Sequence, residues 1–513
     1  MTASESRPAE SDKLDGAVLK VAAVVVLGAV MAILDTTVVN VALQALTLEF
    51  QTSFDTIQWV ATGYMLALAT VIPVTGWACD RFGTKRLYML AIGFFLVGSA
   101  LAGAAWNVES LIVFRVVQGL GGGMLMPAGM TILTKTAGPH RVGRVMAVLG
   151  VPMLLGPIGG PILGGWLVDS VSWRWIFYIN IPIGVVAVLL AWRLLPRDQP
   201  RPAERFDFPG MLMLSPGLAA LIYGVANIPH HGGVSDTSVW LPAIIGVVLI
   251  VAFVVRSLRI PNALIDLTLF RNRTFSIAMT TITLFSIAFL GSMLILPTYF
   301  VLVRGESALR AGLLLAPQGI GAMLTMPIAG KLVDKIGAGK VVLPGLALIL
   351  PSVAVFTQVG ADTSYPLLMS ALFVMGLGMG MTMMPTMSAA MQTLAHDEVP
   401  RASTALNIIQ QVAGSIGTAF IAVLLTAQME SRGLGGGGGG MAAEVPSGAQ
   451  IPPQMIADIM NKLADAFQTT YWWSLALLTL AFLPALLLPR RRPVASDLDG
   501  KDDAPIDAPV MMH

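Results

Sequence analysis

The sequence predicts an all-α integral membrane protein: two homologous six-helix bundles with two further helices inserted between them, fourteen transmembrane helices in all. Three observations predict it. Of the 513 residues, 55% belong to the apolar and aromatic set and only 12% are charged, against roughly 25% charged in ordinary soluble domains. Apolar stretches of about 20 residues, the length a helix needs to cross hydrocarbon, recur along the whole chain. Sequence motifs in the first half also return, weakened, in the second.

In chain order, residues 1–18 form a polar cytoplasmic tail of mixed charge, with no cleavable signal peptide expected before the first helix. Residues 19–195 form the N-terminal six-helix bundle, with spans at 19–43, 55–77, 87–106, 109–134, 143–168 and 173–195. Residues 196–273 form a linker carrying two extra spans, 209–229 and 239–257, both short and the first interrupted by Pro216 and Gly217. Residues 274–489 form the C-terminal six-helix bundle, with spans at 274–300, 309–330, 341–359, 364–388, 402–427 and 470–489. Within it, 428–469 reads as an external loop whose glycine run Gly435–Gly440 behaves as flexible coil. Ile456, Ile459, Met460, Leu463 and Phe467 then recur at helical spacing, fitting either an amphipathic helix on the outer leaflet or an early start of the last span. Residues 490–513 form a second cytoplasmic tail.

Basic residues test the count independently. Of the 31 Lys and Arg, 25 fall in one alternate set of loops and tails, five in the other (Arg174, Arg304, Arg310, Arg432, Lys462), and Arg115 lies inside a span. A miscount by one helix would mix the sets, so the positive-inside rule places both termini in the cytoplasm of a multi-pass protein of the cell (inner) membrane.

The same arithmetic excludes function classes. A water-soluble enzyme is excluded by composition, and no span or loop assembles a nucleophile, a base and an orienting group. A net charge of +2 gives no nucleic-acid partner. Cys79 is the sole cysteine and the five histidines never pair at metal-ligand spacing, so neither an internal disulfide nor a metal is expected.

The repeat is carried by two motifs. Gly76-Trp-Ala-Cys-Asp80-Arg81-Phe-Gly83-Thr-Lys85-Arg86 returns as Gly330-Lys-Leu-Val-Asp334-Lys335-Ile-Gly337-Ala-Gly-Lys340, and Gly119-Leu-Gly121-Gly-Gly123 returns as Gly376-Leu-Gly378-Met-Gly380. Each follows or occupies the same helix of its six-helix set. Such a parallel repeat suits alternating access, in which two bundles rock about a central site. In the first motif the glycines permit close packing, and Asp80 can pair with a basic group or cap a helix of the other bundle, closing the cytoplasmic side. The candidate gate is Gly76, Asp80, Arg81, Gly83, Lys85, Arg86 and Asp334, against the plain alternative of a basic loop.

Away from the span edges only two charges lie within the spans, Asp35 in the first and Arg115 in the fourth. A charge in a span costs roughly 2.5–3.5 kcal/mol on insertion scales and so requires a partner or a wet cavity. Burial favours a neutral carboxyl and a nearby guanidinium favours a charged one, which makes this pair the candidate proton-coupling site. The competing reading is a static structural pair.

Further motifs are Leu34-Asp35-Thr36-Thr37-Val38-Val39-Asn40-Val41-Ala42-Leu43, Arg115-Val-Val-Gln118-Gly119, and the small-residue pattern of Gly156, Gly160, Pro161, Gly164 and Gly165 in the fifth span. Taken together, the motifs resemble the fourteen-helix drug:proton antiporter branch of the major facilitator superfamily, over nearly all of 19–489. Gln44 departs from that branch, which usually has proline there, and puts the outer bend of the first helix in doubt. The resemblance implies the major facilitator fold, the antiporter motif in the fifth helix that marks exporters, and no cofactor beyond the proton as coupling ion. It implies a proton-coupled multidrug exporter of small hydrophobic or cationic amphiphilic substrates, a monomer. Relatives in double-membraned bacteria dock a periplasmic adaptor, which the external loop neither supports nor excludes. An exporter of an endogenous lipid or metabolite fits the same motifs, and a non-transporting receptor or scaffold fits them less well.

In the twelfth span Met375, Met379, Met383, Met387 and Met391 recur every fourth residue. Flexible, polarisable methionine suits either a cavity that moulds to many apolar ligands or ordinary packing and lipid contact. The superfamily's cavity is lined by the fourth helix of each half, so Met379 and Met383 join Asn40, Gln118, Phe285, Phe289 and Gln318 as candidate substrate contacts.

Overall fold

The computed structural model describes residues 15–138, 141–196, 206–228, 236–260, 263–395, 397–434 and 453–490. The described residues are helical, without strands. The first half contains α1 (Gly16–Glu49), α2 (Phe54–Phe82), α3 (Thr84–Gly103), α4 (Val108–Ala137), α5 (Val142–Ser170), α6 (Trp175–Tyr178) and α7 (Asn180–Leu194). The inserted pair is α8 (Phe208–Ala226) and α9 (Thr237–Ser257). The second half contains α10 (Arg273–Leu302), α11 (Ala308–Leu314), α12 (Ala316–Ile336), α13 (Gly339–Phe356), α14 (Tyr365–Gly380), α15 (Met383–Gln392), α16 (Val399–Ser431) and α17 (Pro453–Ala485).

Among the described residues, twelve helical segments are long and apolar enough to cross a membrane. The remaining two predicted spans coincide with α5 and with the second half of α17. Three predicted spans are built from two helices each, broken at Ile179, Leu315 and Met381–Thr382. Pro216, by contrast, does not break α8, which runs through it. Gly217 there lets α9 approach, since a Cβ would lie 3.3 Å from the Gly246 carbonyl oxygen.

Local chemistry sets the helix ends. Ser53, Asp207, Asp236 and Asn272 accept hydrogen bonds from first-turn amides of the helices they precede, and Asn107 forms a capping box with Ser110. Gly83 and Gly337, at matching repeat positions, end α2 and α12 at φ 85° and 89°, a backbone region open to glycine at little cost. Side chains such as Ile244, Val247, Val248 and Val251 of α9 stay exposed, the outward apolar surface that lipid covers.

The repeat is visible in packing register. A Cβ at Gly119 would lie 2.5 Å from the Tyr64 carbonyl oxygen, and one at Gly376 would strike the carbonyl oxygen of Gln318. Gly123 meets Leu68 O at 2.7 Å where Gly380 meets Ala322 O at 2.7 Å. In both halves the fourth helix of the set is therefore glycine-rich because its backbone lies directly on the second helix.

Of the two readings of the 456–467 stretch, the structure has the early start of the last span: the stretch is the first half of α17, with Leu463, Ala464, Ala466 and Phe467 buried in the main core. The expected loop 428–469 is shortened at both ends, because no breaker stops α16 before Gly433 at φ 74° and Pro453 opens α17. The Gly435–Gly440 run and the tail residues 1–14 and 491–513 lie outside the described residues, and the last residues of the expected N-terminal tail, from Gly16, already belong to α1.

Candidate coupling site and apolar cavity

Asp35 on α1 and Arg115 on α4 meet inside the N-terminal bundle. Arg115 Nη1 lies 2.5 Å from Asp35 Oδ2, and both residues are 1% exposed. Two neutral amides complete the carboxylate's shell: Gln118 Nε2 donates to Asp35 Oδ1 at 2.7 Å and Asn180 Nδ2 to the same oxygen at 3.0 Å. Asn180 also donates to Ser99 Oγ at 3.1 Å, and Ser99 donates to the Phe177 carbonyl at 2.9 Å. Arg115 donates from Nε to the Val60 carbonyl at 3.1 Å and from Nη1 to Gln118 Oε1 at 2.7 Å, with its guanidinium 4.2 Å from the centre of the Tyr64 ring. Helices α1, α2, α3, α4 and α7 thus converge on one carboxylate. A buried pair held this completely is costly to break from one side, about 3–5 kcal/mol.

The fifth-helix glycines seat α5 on α1 beside this carboxylate. A Cβ at Gly156 would collide with Ile33, one at Gly160 with Thr37, and one at Gly164 would stand 3.2 Å from the Val38 backbone. Asp35 lies in the middle of that contacted stretch. Gly165, by contrast, faces open space. The side chain of Pro161 lies outside the described residues.

The candidate gate divides. Asp334 at the end of α12 reaches the other bundle: it accepts from Gly143 N at 2.9 Å and Arg144 N at 3.3 Å, the first-turn amides of α5. It also pairs with the Arg144 guanidinium at 3.3 Å and accepts from Gln392 Nε2 at 2.9 Å. This is a helix cap supplied by the opposite half. Gly330 and Gly143 face one another, each Cβ position 2.6 Å from the other's carbonyl oxygen. The first copy follows suit, with a Cβ at Gly76 placed 3.2 Å from the Pro400 carbonyl oxygen at the start of α16. Lys85 instead staples its own bundle, donating to the Trp192 and Leu195 carbonyls at 2.7 and 2.8 Å at the end of α7. Asp80 is half-buried in the last turn of α2, Arg81 and Arg86 are exposed, and Gly83 forms the junction of α2 and α3.

A cavity of about 180 Å³ lies inside the C-terminal bundle. It is lined by Phe289, Gln318, Met375, Met379, Met383 and Tyr471 among others, and no charged side chain lines it. The methionine stripe therefore turns inward, with Met387 and Met391 also buried. Three other candidates lie elsewhere. Gln118 is fully buried in the Asp35 cluster, Asn40 is exposed, and Phe285 is not on the cavity wall but stacks with Phe289 at 5.4 Å. Ser99, Tyr64, Arg144 and Tyr471 are not singled out as site residues by the sequence, whereas Asn180 stands in the stretch Trp173-Arg174-Trp175-Ile-Phe-Tyr178-Ile-Asn180-Ile-Pro182-Ile-Gly184, which resembles the same antiporter branch without giving Asn180 a role.

The Major Facilitator Superfamily model matches residues 25–418. The chain is 45% identical over 496 residues to a Mycobacterium tuberculosis protein described as a multidrug resistance protein B homolog, covering 94% of this chain and 92% of that one. It is 31% identical over 409 residues to the Haemophilus influenzae multidrug export protein EmrB, covering 79% and 80% of the two chains. Among solved structures, the human organic anion transporter MFSD10 superposes with a TM-score of 0.58 at 15% identity over 90% of this chain and 99% of its own. The proton:xylose symporter XylE does so with 0.57 at 14% identity, over 91% and 94%. At those identities the structural likeness speaks for the fold alone.

Proposed function

The chain belongs to the major facilitator superfamily, a family of transporters, and from that premise we propose that it is a proton-coupled antiporter exporting small hydrophobic or cationic amphiphilic compounds across the cell membrane. The observation that carries the reading is the Asp35–Arg115 pair, a carboxylate in mid-helix whose hydrogen-bond shell comes wholly from side chains of the N-terminal bundle.

A proton arriving at Asp35 removes the charge that Arg115, Gln118 and Asn180 all address. Arg115 then keeps the Val60 carbonyl, Gln118 Oε1 and the Tyr64 ring, while α1 loses its strongest tie to α4. Because Gly156, Gly160 and Gly164 seat α5 on the same face of α1, a shift of α1 moves α5, and the first turn of α5 is what Asp334 of the other bundle holds. The protonation state of one carboxylate is in this way linked through two packed helices to the contact that joins the bundles at their motif-bearing, cytoplasmic end. Proton release on the opposite face restores the pair and resets the contact. Each proton crossing 100 mV supplies about 2.3 kcal/mol, enough for a gradient of roughly fifty-fold in an exported neutral compound.

The test is transport in everted membrane vesicles, where an imposed pH gradient should drive uphill accumulation of a lipophilic cation dye by the wild type and none by Asp35→Asn. Full retained accumulation by the variant overturns the reading.

A further inference from the structure

The C-terminal cavity occupies the repeat position of the Asp35 cluster. The motif offset that carries Gly76 to Gly330 carries Tyr64 to Gln318 and Ser99 to Val353, and the offset that carries Gly119 to Gly376 carries Gln118 to Met375. Tyr64, Ser99 and Gln118 sit in or against the polar cluster, and Gln318, Val353 and Met375 all line the cavity. The correspondence is physical, since Gly119 rests on the Tyr64 carbonyl as Gly376 rests on that of Gln318. One half of the repeat fills this position with a closed network of ion pair and amides. The other half has a cavity there, lined mostly by thioethers, aromatic rings and aliphatic side chains, with Gln318 and Ser292 as its neutral polar members besides the Tyr471 hydroxyl.

Among the described residues of the cavity wall, Ser292 donates to the Ala288 carbonyl and the Gln318 amide is half-buried, while the Tyr471 hydroxyl is the fully buried polar atom without a partner. Tyr471 is 3% exposed and its hydroxyl, buried, makes no hydrogen bond, although its ring packs 5.3 Å from that of Phe356. A buried hydroxyl without a partner costs about 1–3 kcal/mol, which a ligand carrying one acceptor would recover. A volume near 180 Å³ exceeds the roughly 150 Å³ of an apolar cavity known to hold benzene and falls below the 300–1,000 Å³ typical of drug-sized sites.

We propose that this cavity is a binding site for a neutral, one- or two-ring aromatic group bearing a single hydrogen-bond acceptor, with the Tyr471 hydroxyl as donor and Met375, Met379, Met383 and Phe289 as the wall. It deepens the export reading, and rests on it for what happens after binding, by separating the two tasks between the halves: the N-terminal bundle holds the proton and the C-terminal bundle holds the ring system of the cargo. Larger cargo would place one ring group here and the remainder outside the cavity.

The experiment uses the full chain in lipid nanodiscs with Cys79→Ala, carrying either Met379→Cys or, as a lipid-facing control, the exposed Leu367→Cys. The rate of alkylation by N-ethylmaleimide is measured with and without 1-naphthaldehyde oxime O-methyl ether, a neutral two-ring probe that accepts but does not donate hydrogen bonds. The expected result is at least a fivefold slowing at position 379, none at 367, and at least a fivefold higher probe concentration for half protection when Tyr471→Phe is added. Equal slowing at both positions, no slowing at 379, or protection indifferent to Tyr471→Phe overturns the assignment. No proton gradient enters the assay, so a protein that fails to couple protons can still show protection, and one that exports without protection refutes only the site.

Discussion

Replacing Asp35 by Asn changes one atom and reverses part of a hydrogen-bond shell. The carboxylate accepts from Arg115 at 2.5 Å, Gln118 at 2.7 Å and Asn180 at 3.0 Å. The amide offers one oxygen and two N–H donors, so its nitrogen faces either Arg115 or the two side-chain amides, and an uncompensated guanidinium stays buried at 1% exposure. The cost of leaving one partner of a buried pair is about 3–5 kcal/mol. The double variant Asp35→Asn/Arg115→Met removes the orphaned charge and should recover most of that stability, so the cycle of the two positions yields a coupling energy of about 2–4 kcal/mol. Thermal unfolding in detergent by the accessibility of Cys79, buried in the native fold, gives the stability arm, and pH-driven dye accumulation in everted vesicles gives the functional arm. Both variants should lose uphill accumulation while passing substrate down its own gradient. A double variant that regains stability together with proton-driven accumulation would show the pair to be structural and refute the reasoning.

Three further outcomes follow from the packing. Gly160→Ala, whose methyl collides with Thr37, should destabilise the protein by about 1–3 kcal/mol and lower transport, whereas Gly165→Ala, facing open space, should leave the melting temperature and transport at wild-type values. Asp334→Ala uncaps the amides of Gly143 and Arg144 at about 0.5–2 kcal/mol. Hydrogen exchange across the first turn of α5 should accelerate two- to thirtyfold, and unchanged exchange would contradict a cap from the other bundle. Lys85→Ala, losing two carbonyl contacts at the end of α7, should cost about 1 kcal/mol in thermal stability and leave the number of protons moved per substrate unchanged. A changed ratio would return Lys85 to the gate.

How much the sequence revealed depended on how few residues could satisfy a rule. With one acid and one base deep inside the predicted spans, away from their edges, Asp35 and Arg115 had few alternatives to each other, and the structure pairs them. The glycines of the fourth helix were legible as a repeat because backbone contact between helices tolerates nothing larger, and the contact survives in both halves. Neutral partners were less legible: Ser99 and Tyr64 are ordinary polar residues in apolar helices, Asn180 stands in a motif that gives it no partner, and only tertiary packing brings them to Asp35. Gln118 shows the same ambiguity, since an amide three residues from Arg115 can face a cavity or turn back on the arginine, and it turns back. Spacing put Met375, Met379 and Met383 on one face without saying which way that face turns, because methionine serves lipid and core equally. The Asp334–Arg144 contact crosses between bundles that sequence leaves in unknown relative position, so Arg144 read only as a topological charge.

The central claim, that export is driven by protons moving the opposite way, is tested most directly by counterflow in proteoliposomes containing the purified wild-type protein. With an exported lipophilic cation loaded on one side and a pH-sensitive dye on the other, a substrate gradient alone should move protons against the substrate. A one-unit pH gradient alone should in turn sustain about a tenfold substrate gradient for each proton exchanged, after correction for membrane potential. Substrate flux with no accompanying proton movement, or accumulation unchanged when the pH gradient is collapsed, would contradict the account.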